Sequence, residues 1–244
     1  MCFSANASFV AGIVLPAIGV AAIIKVQHKS QILFASIPLL FAVQQIAEGF
    51  LWLTQPNPAY ASVSQGLTYV FLFFAQFFWP LWVPIAILML EKESKRKKIQ
   101  KMLVGIGILV AFYSAYSLLA YPIHAKIVGY HVIYKIDNPN PIGIYGGILY
   151  FIATVVPSFF SHIKRMWIFG TTIFISYVIS AIFFDHYVVS VWCFFASIIS
   201  ISIYAIMLEV KNMNKNAFQE PLSQRYVTPS NIYKDKLIII KNGN

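Results

Sequence analysis

Seven stretches of this chain, approximately residues 4–24, 32–54, 67–90, 102–121, 142–160, 167–184 and 187–208, run for 18–24 residues each without a lysine, arginine or aspartate. Each is long enough to cross a bilayer core as a helix, which takes roughly 20 apolar residues. In water these runs would need a solvated coat, and the composition has none to offer. Hydrophobic residues make up 59% of the 244 and charged residues 11%, against about 45–50% and about 25% in a soluble domain. A soluble globular enzyme, a disordered chain and a nucleic-acid binder are excluded, the last despite a formal net charge of +10. A transmembrane barrel would show ~10-residue alternating segments rather than continuous apolar runs. The expected fold class is an all-α integral membrane protein, a seven-transmembrane helix bundle.

The charges sort the connections. The first holds Lys25 and Lys29, the third holds six basic residues between Glu91 and Lys101, and the fifth holds Lys164 and Arg165. The segment after Glu209 holds six more, so sixteen of the eighteen basic residues fall on one side of a seven-span bundle. Lysine and arginine are retained in the cytoplasm, which sets the N terminus outside and the C terminus inside. No basic region precedes the first apolar run, so that run reads as a span that stays rather than a cleaved signal. Residues 1–208 form the expected transmembrane domain. Residues 209–244 read as a flexible basic cytoplasmic tail, close to the anionic headgroups of the bilayer.

Polar side chains collect in the outer half. Glu48 is the sole acidic residue inside a run, about 9 Å below the outer surface at 1.5 Å per residue. Gln44, Glu48 and Trp52 are spaced by four, with Gln45 three before Glu48, so they share a helical face. Gly49 beside them would let another helix approach closely. Gln76, Ser190 and Cys193 reach the same layer, as do Tyr113, Ser114, Tyr116, Ser117 and Tyr121. The inner half is mostly Leu, Ile, Val and Phe. This polarity favours an outward-facing cup over a through-going pore. Residues 127–134 alternate in polarity and are followed by a Pro-rich turn, the pattern of a short hairpin lid.

An ionisable group inside a span is costly and marks a functional site by default. The alternative for Glu48 is a protonated carboxyl that glues helices together through hydrogen bonds. Cys2, once the initiator Met is removed, pairs a free amine with a thiol, a set that chelates metal or makes a nucleophile. The alternative is an ordinary small residue at a chain end, or a disulfide to Cys193. His131 and the neighbouring Asp185-His186 pair, with Cys2 and Glu48, form a candidate ligand set for a divalent metal such as zinc. No HExxH, HxxxH or CxxC spacing supports it, and His124, like the others, reads equally well as solvated.

Met1-Cys-Phe-Ser-Ala5 with Ala7-Ser-Phe9, Gln44-Gln-Ile-Ala-Glu-Gly-Phe-Leu-Trp52, Phe78-Trp-Pro-Leu-Trp-Val-Pro84, Gly129-Tyr-His-Val-Ile-Tyr134 and Ser190-Val-Trp-Cys-Phe-Phe195 form a specific set. Together they resemble a bacterial multi-pass membrane family of unknown function, over residues 1 to about 208. The resemblance implies an integral membrane protein and supplies no activity. Better-known seven-span classes fit poorly: the last span has no lysine for a retinal Schiff base, and the HxxxH of the metal-dependent lipid hydrolases is absent.

Three functions remain open. The first is a metal- or thiol-assisted hydrolase or transferase acting on a lipid-like substrate, with Glu48 and Cys2 as catalytic groups. The second is a binding or sensory protein that takes a lipid-like or small-molecule ligand at its outer face, through Gln44, Gln45, Trp52, Gln76 and Cys193. Transport comes third, because the inner half lacks a polar lining. In each case the partner is the lipid bilayer, the bacterial inner membrane, and no nucleic acid is involved.

Overall fold

A computed structural model of the chain describes residues 4–139, 141, 143–183 and 188–219. Five helical stretches among these are long and apolar enough to cross a membrane: Ala5–Ile23, Lys29–Thr54, Pro58–Leu90, Ser94–Ala120 and Met166–Phe183. Tyr145–Phe159 is apolar but shorter. Contacts divide the chain into two units, Met1–Glu209 and Val210–Asn244.

Helix α1 (Ala5–Ile23) is capped by Ser4, whose Oγ accepts from the Ala7 amide. It packs antiparallel on α3 (Ile37–Thr54), and the seam is made by missing side chains. A Cβ on Gly12 would come within 2.6 Å of Ile46, one on Gly19 within 2.7 Å of Leu39, and one on Gly49 within 2.9 Å of Phe9. Small residues at such a seam let the two backbones approach closely and make dispersion contacts. Before α3, a 3₁₀ turn at Lys29–Gln31 and the short α2 (Ile32–Ala35) enter the same span. Gln31 closes that turn by accepting from the Gln27 amide at 2.8 Å.

The next span starts earlier than its apolar run suggests. Helix α4 (Ala61–Leu72) continues through a π-helical segment, Phe73–Phe78, into α5 (Trp79–Leu90). Two prolines explain the irregularity, because neither has an N–H to donate. The Trp79 amide reaches back five residues to the Phe74 carbonyl. In that register Pro80 cannot serve Ala75, and the Ala75 carbonyl instead accepts from the Tyr150 hydroxyl at 2.6 Å. Pro84 likewise leaves the Pro80 carbonyl free, and α6 (Ser94–Ala120) crosses it at Gly107, where a Cβ would collide with that oxygen. Helix α6 begins eight residues before its apolar run because the basic stretch stays helical. Its 27 residues span about 40 Å.

Strands β1 (Ile123–Val128) and β2 (His131–Ile136) form the expected hairpin, longer than the alternating stretch alone indicates. Val128 pairs with His131, so the turn has two residues. Gly129 takes φ +61° while Tyr130 does not turn positive, the pattern of a type II′ turn. The hairpin is tied to the α3–α4 end of the bundle. Gln55 Nε2 donates to the Ala125 carbonyl at 2.6 Å and Gln65 Nε2 to the Ile123 carbonyl at 3.1 Å, while Ser64 donates to Gln55. Side-chain amides thereby occupy the open edge of β1. Beneath the hairpin, Phe71, Leu72, Ala75, Leu118 and Ile123 form a buried cluster against which Tyr134, Ile136 and Val189 pack.

Helices α7 (Ile144–Phe159) and α8 (Met166–Phe183) also meet closely, a Cβ at Gly170 coming within 2.7 Å of Ser158. At that end the connection after α5 and the one after α7 are joined by a buried carboxylate. Glu91 accepts from the amides of Lys92, Glu93 and His162, and its Oε1 lies 2.9 Å from His162 Nδ1. Arg96 reaches the Ser161 carbonyl and Gln100 the Pro157 carbonyl, each at 2.8 Å. Helix α9 (Val188–Gln219) runs past Glu209, where the tail was expected to begin as flexible chain, to Gln219. Val210–Gln219, the described part of the second unit, belongs to this helix.

Candidate functional site

Two polar centres emerge. The first sits on α3. Gln44, Gln45 and Glu48 are each fully buried, and Trp52 is half-buried. Gln44 Oε1 accepts from the Trp79 indole at 2.7 Å, and the Trp79 ring stacks on Phe41 with centroids 3.9 Å apart. Glu48 Oε1 accepts from the Tyr134 hydroxyl at 3.5 Å, and the Tyr134 ring lies flat on Phe71 at 4.5 Å. Neither atom of the Gln45 carboxamide has a hydrogen-bond partner, nor does the Trp52 indole N–H. The shared helical face expected from the spacing is thus the buried face, and Gly49 is the close-approach point expected of it.

The second centre is a cavity of about 490 Å³, within the ~300–1,000 Å³ of small-molecule sites. It lies between the π segment, α6, the start of α7, α8 and α9. Gln76, Tyr113, Ser114, Ser117, Asn138 and Tyr150 give it polar groups, and Tyr177 and Trp192 give it aromatic walls. Among the described residues, no lysine, arginine, histidine, aspartate or glutamate lines it. Gln76, Ser114 and Ser117 all line the cavity, whereas the described lining contains no α3 residue.

The hairpin joins the two centres. Tyr134 points to Glu48, Ile136 lines the cavity, and Asn138 donates from Nδ2 to the Tyr113 and Ser117 hydroxyls at 3.2 and 3.4 Å. Tyr150, Tyr177 and Trp192 form an edge-to-face group, with the Trp192 ring 5.5 Å from Tyr150 and 5.3 Å from Tyr177. The Trp192 indole N–H has no hydrogen-bond partner.

His131 is half-buried in β2, and burial pushes its pKa below the ordinary histidine value. His124 Nε2 lies 3.2 Å from Asp137, which Lys135 also meets at 3.1 Å. The hydrogen bond from Lys135, reinforced by its charge, holds the Asp137 pKa below the usual aspartate value. Cys2, Asp185 and His186 lie outside the described residues, as does the side chain of Cys193. Among the described residues no three His, Cys, Asp or Glu side chains group to hold a metal.

A family model covers residues 1–218. The chain belongs to the family of unknown function DUF6629. No curated protein matches it, and no solved structure matches it. For this DUF6629 member, any function must therefore be read from the site itself. Two contributors to that site, Tyr150 and Trp192, have little signal in the apolar pattern and look like interfacial belt residues. Glu91 and His162, at the other end, look in the sequence like part of a solvated basic connection. The readable cue for Tyr150 is Pro80, which frees a carbonyl inside a span.

Proposed function

We propose that this protein crosses the bacterial inner membrane seven times, N terminus outside and C terminus cytoplasmic, and binds a small uncharged amphiphile in the cavity at its outer end. The observation that carries this reading is the lining: mostly apolar and aromatic, with a few amide and hydroxyl groups, and without a lysine, arginine, histidine, aspartate or glutamate among the described residues. A charged headgroup buried there would lose its hydration with no counter-charge to replace it. A neutral one needs only hydrogen bonds. The asymmetry of basic residues supports the orientation. So do the Glu91–His162 and Arg96–Ser161 contacts, which join two of the basic connections.

The test uses purified protein and 1-monoolein. Saturable thermal stabilisation is expected in the wild type. It should be lost in Gly147→Phe, since Gly147 lines the cavity and a Cβ there meets nothing within 4 Å. Absence of stabilisation in the wild type contradicts the reading.

A second reading keeps the catalytic possibility, with Glu48 as base, Cys2 as thiol or ligand, and His131, Asp185 and His186 completing a metal set. It is favoured by the fully buried Glu48 carboxyl within hydrogen-bonding distance of a phenol. Elemental analysis and thiol labelling of wild type against Glu48→Gln and Cys2→Ser test it. No metal and no reactive thiol in the wild type removes it.

A further inference from the structure

We infer that the first turns of α6 bind an anionic phospholipid, its phosphate held by Lys95, Lys98 and Lys101 and its acyl chains laid along the exposed face of the same helix. The inference rests on α6 crossing the bilayer and is independent of what the cavity holds.

Met102, Leu109, Phe112, Tyr116 and Leu119 are exposed. Passing through Gly105, they follow one another at the three- and four-residue steps that keep to one side of a helix. The opposite side, with Leu103, Gly107, Val110 and Ser114, is buried. Continued toward the start of the helix, the exposed stripe reaches Lys98 and then Lys95, with Lys101 beside them, and all three lysines are exposed. From Leu119 to Met102 the stripe covers about 26 Å at 1.5 Å per residue, close to the ~30 Å of a hydrocarbon core. Lys98 lies about 6 Å beyond Met102, within the headgroup layer that adds roughly 5–8 Å on each side.

These cations have no counter-charge among the described residues. Of the two carboxylates in the same connection, Glu91 is taken by backbone amides and His162, and Glu93 pairs with Arg96 at 2.6 Å. Lys95, Lys98 and Lys101 make no side-chain hydrogen bond or ion pair among the described residues. Arg165, in the connection after α7, is by contrast 4.0 Å from Glu209.

The arrangement is unfavourable in the protein alone. Like charges three residues apart on a helix repel one another. The first turn of α6 also holds no acidic residue, at the helix end where the macrodipole favours negative charge. A phosphodiester between the ammonium groups offsets both costs, and the chains attached to it cover the apolar stripe. A zwitterionic lipid brings its own cation and gains less, and a free phosphate has nothing to lay along the stripe.

The experiment titrates full-length protein in a neutral detergent with dioleoylphosphatidylglycerol, dioleoylphosphatidylcholine or inorganic phosphate, and reads thermal stabilisation against concentration. Phosphatidylglycerol is expected to saturate at least about 10-fold below phosphatidylcholine. Each lysine near an anionic headgroup is worth roughly 5-fold. The triple variant Lys95→Gln, Lys98→Gln, Lys101→Gln should therefore weaken phosphatidylglycerol by at least about 20-fold and leave phosphatidylcholine unchanged. A control triple, Lys25→Gln, Lys29→Gln, Lys164→Gln, removes the same charge from other basic connections and should weaken it by less than about 5-fold.

Equal affinity for the two lipids, an equal loss in the two triple variants, or saturation by inorganic phosphate at the concentration that suffices for phosphatidylglycerol each overturns the inference. None of these outcomes touches the cavity reading, whose probe is uncharged. Unliganded thermal midpoints check that the variants fold. Lys98→Gln alone, expected to lose about 5-fold, provides the same test should the triple variant not fold.

Discussion

The Tyr134 hydroxyl donates to Glu48 Oε1 across 86 residues of sequence, bringing the β-hairpin onto the sole carboxylate embedded in an apolar run. The same ring stacks at 4.5 Å on Phe71, so one side chain supplies both a hydrogen bond and a packed aromatic face. Tyr134→Phe removes only the hydroxyl and should cost about 1 kcal/mol. Tyr134→Ala also empties the stack and should cost about 3 kcal/mol or more. Thermal unfolding of the purified protein measures both; no cost for Tyr134→Phe would show that the hydroxyl carries no weight, and equal costs would show that the stacked ring adds none.

The glycines make a graded prediction. At Gly107 an added Cβ meets the Pro80 carbonyl oxygen, part of a backbone that cannot step aside. Gly107→Ala should cost about 1–3 kcal/mol, the usual penalty of overpacking. Gly12→Ala meets the Ile46 side chain rather than a backbone oxygen and should cost less. At Gly105, where a Cβ meets nothing within 4 Å, alanine should be neutral or stabilise by up to about 1 kcal/mol through helix propensity. The order of thermal midpoints checks the set.

Glu91 is the anchor of the opposite end. Its carboxylate accepts three backbone amides and meets His162 Nδ1, while only 2% of the residue is exposed. Glu91→Ala leaves these donors unmatched and should cost about 3 kcal/mol or more, as for breaking a buried charged pair. Glu91→Gln keeps an accepting oxygen and should cost less. Exchange rates of the His162 amide would show the same order.

The hairpin should loosen in acid. Burial lowers the pKa of His131, so the unfolded state binds more protons and stability rises with pH in that range. This contribution is complete above about pH 6.5, the ordinary histidine value, and is lost as the pH falls through the lower folded value. Asp137, held down by Lys135, adds a loss of the same sign. Its share is present above the ordinary aspartate value of about 3.9 and disappears as the pH falls through the folded one. Hydrogen exchange of the β1 and β2 amides should therefore accelerate, after correction for intrinsic rates, between pH 7 and pH 5. His131→Asn should flatten that first step.

Most helices were legible because each coincides with a long, continuous apolar run. The first run, 4–24, became Ala5–Ile23, and 142–160 became Ile144–Phe159. Errors fell at the ends of the apolar runs. The basic stretch before Met102 and the polar stretch after Glu209 are both helical, because lysine, arginine, glutamine and methionine are good helix formers whether or not lipid surrounds them. The face of Gln44, Gln45 and Glu48 was readable from spacing alone. That no α3 residue lines the cavity was not, since it depends on how α3 and the π segment turn relative to each other. Tyr150, Trp192 and Glu91 were obscured for a related reason: their roles come from a carbonyl freed by Pro80, from ring contacts and from backbone amides, none of which leaves a periodic trace.

Native mass spectrometry of the full-length protein released from its own membranes tests the central claim most directly. A retained, uncharged lipid-sized adduct is predicted in the wild type, and its loss is predicted in Gly147→Phe, whose new side chain occupies the cavity. A wild type with no adduct, or an adduct retained equally in Gly147→Phe, would contradict the assignment of this cavity as the binding site.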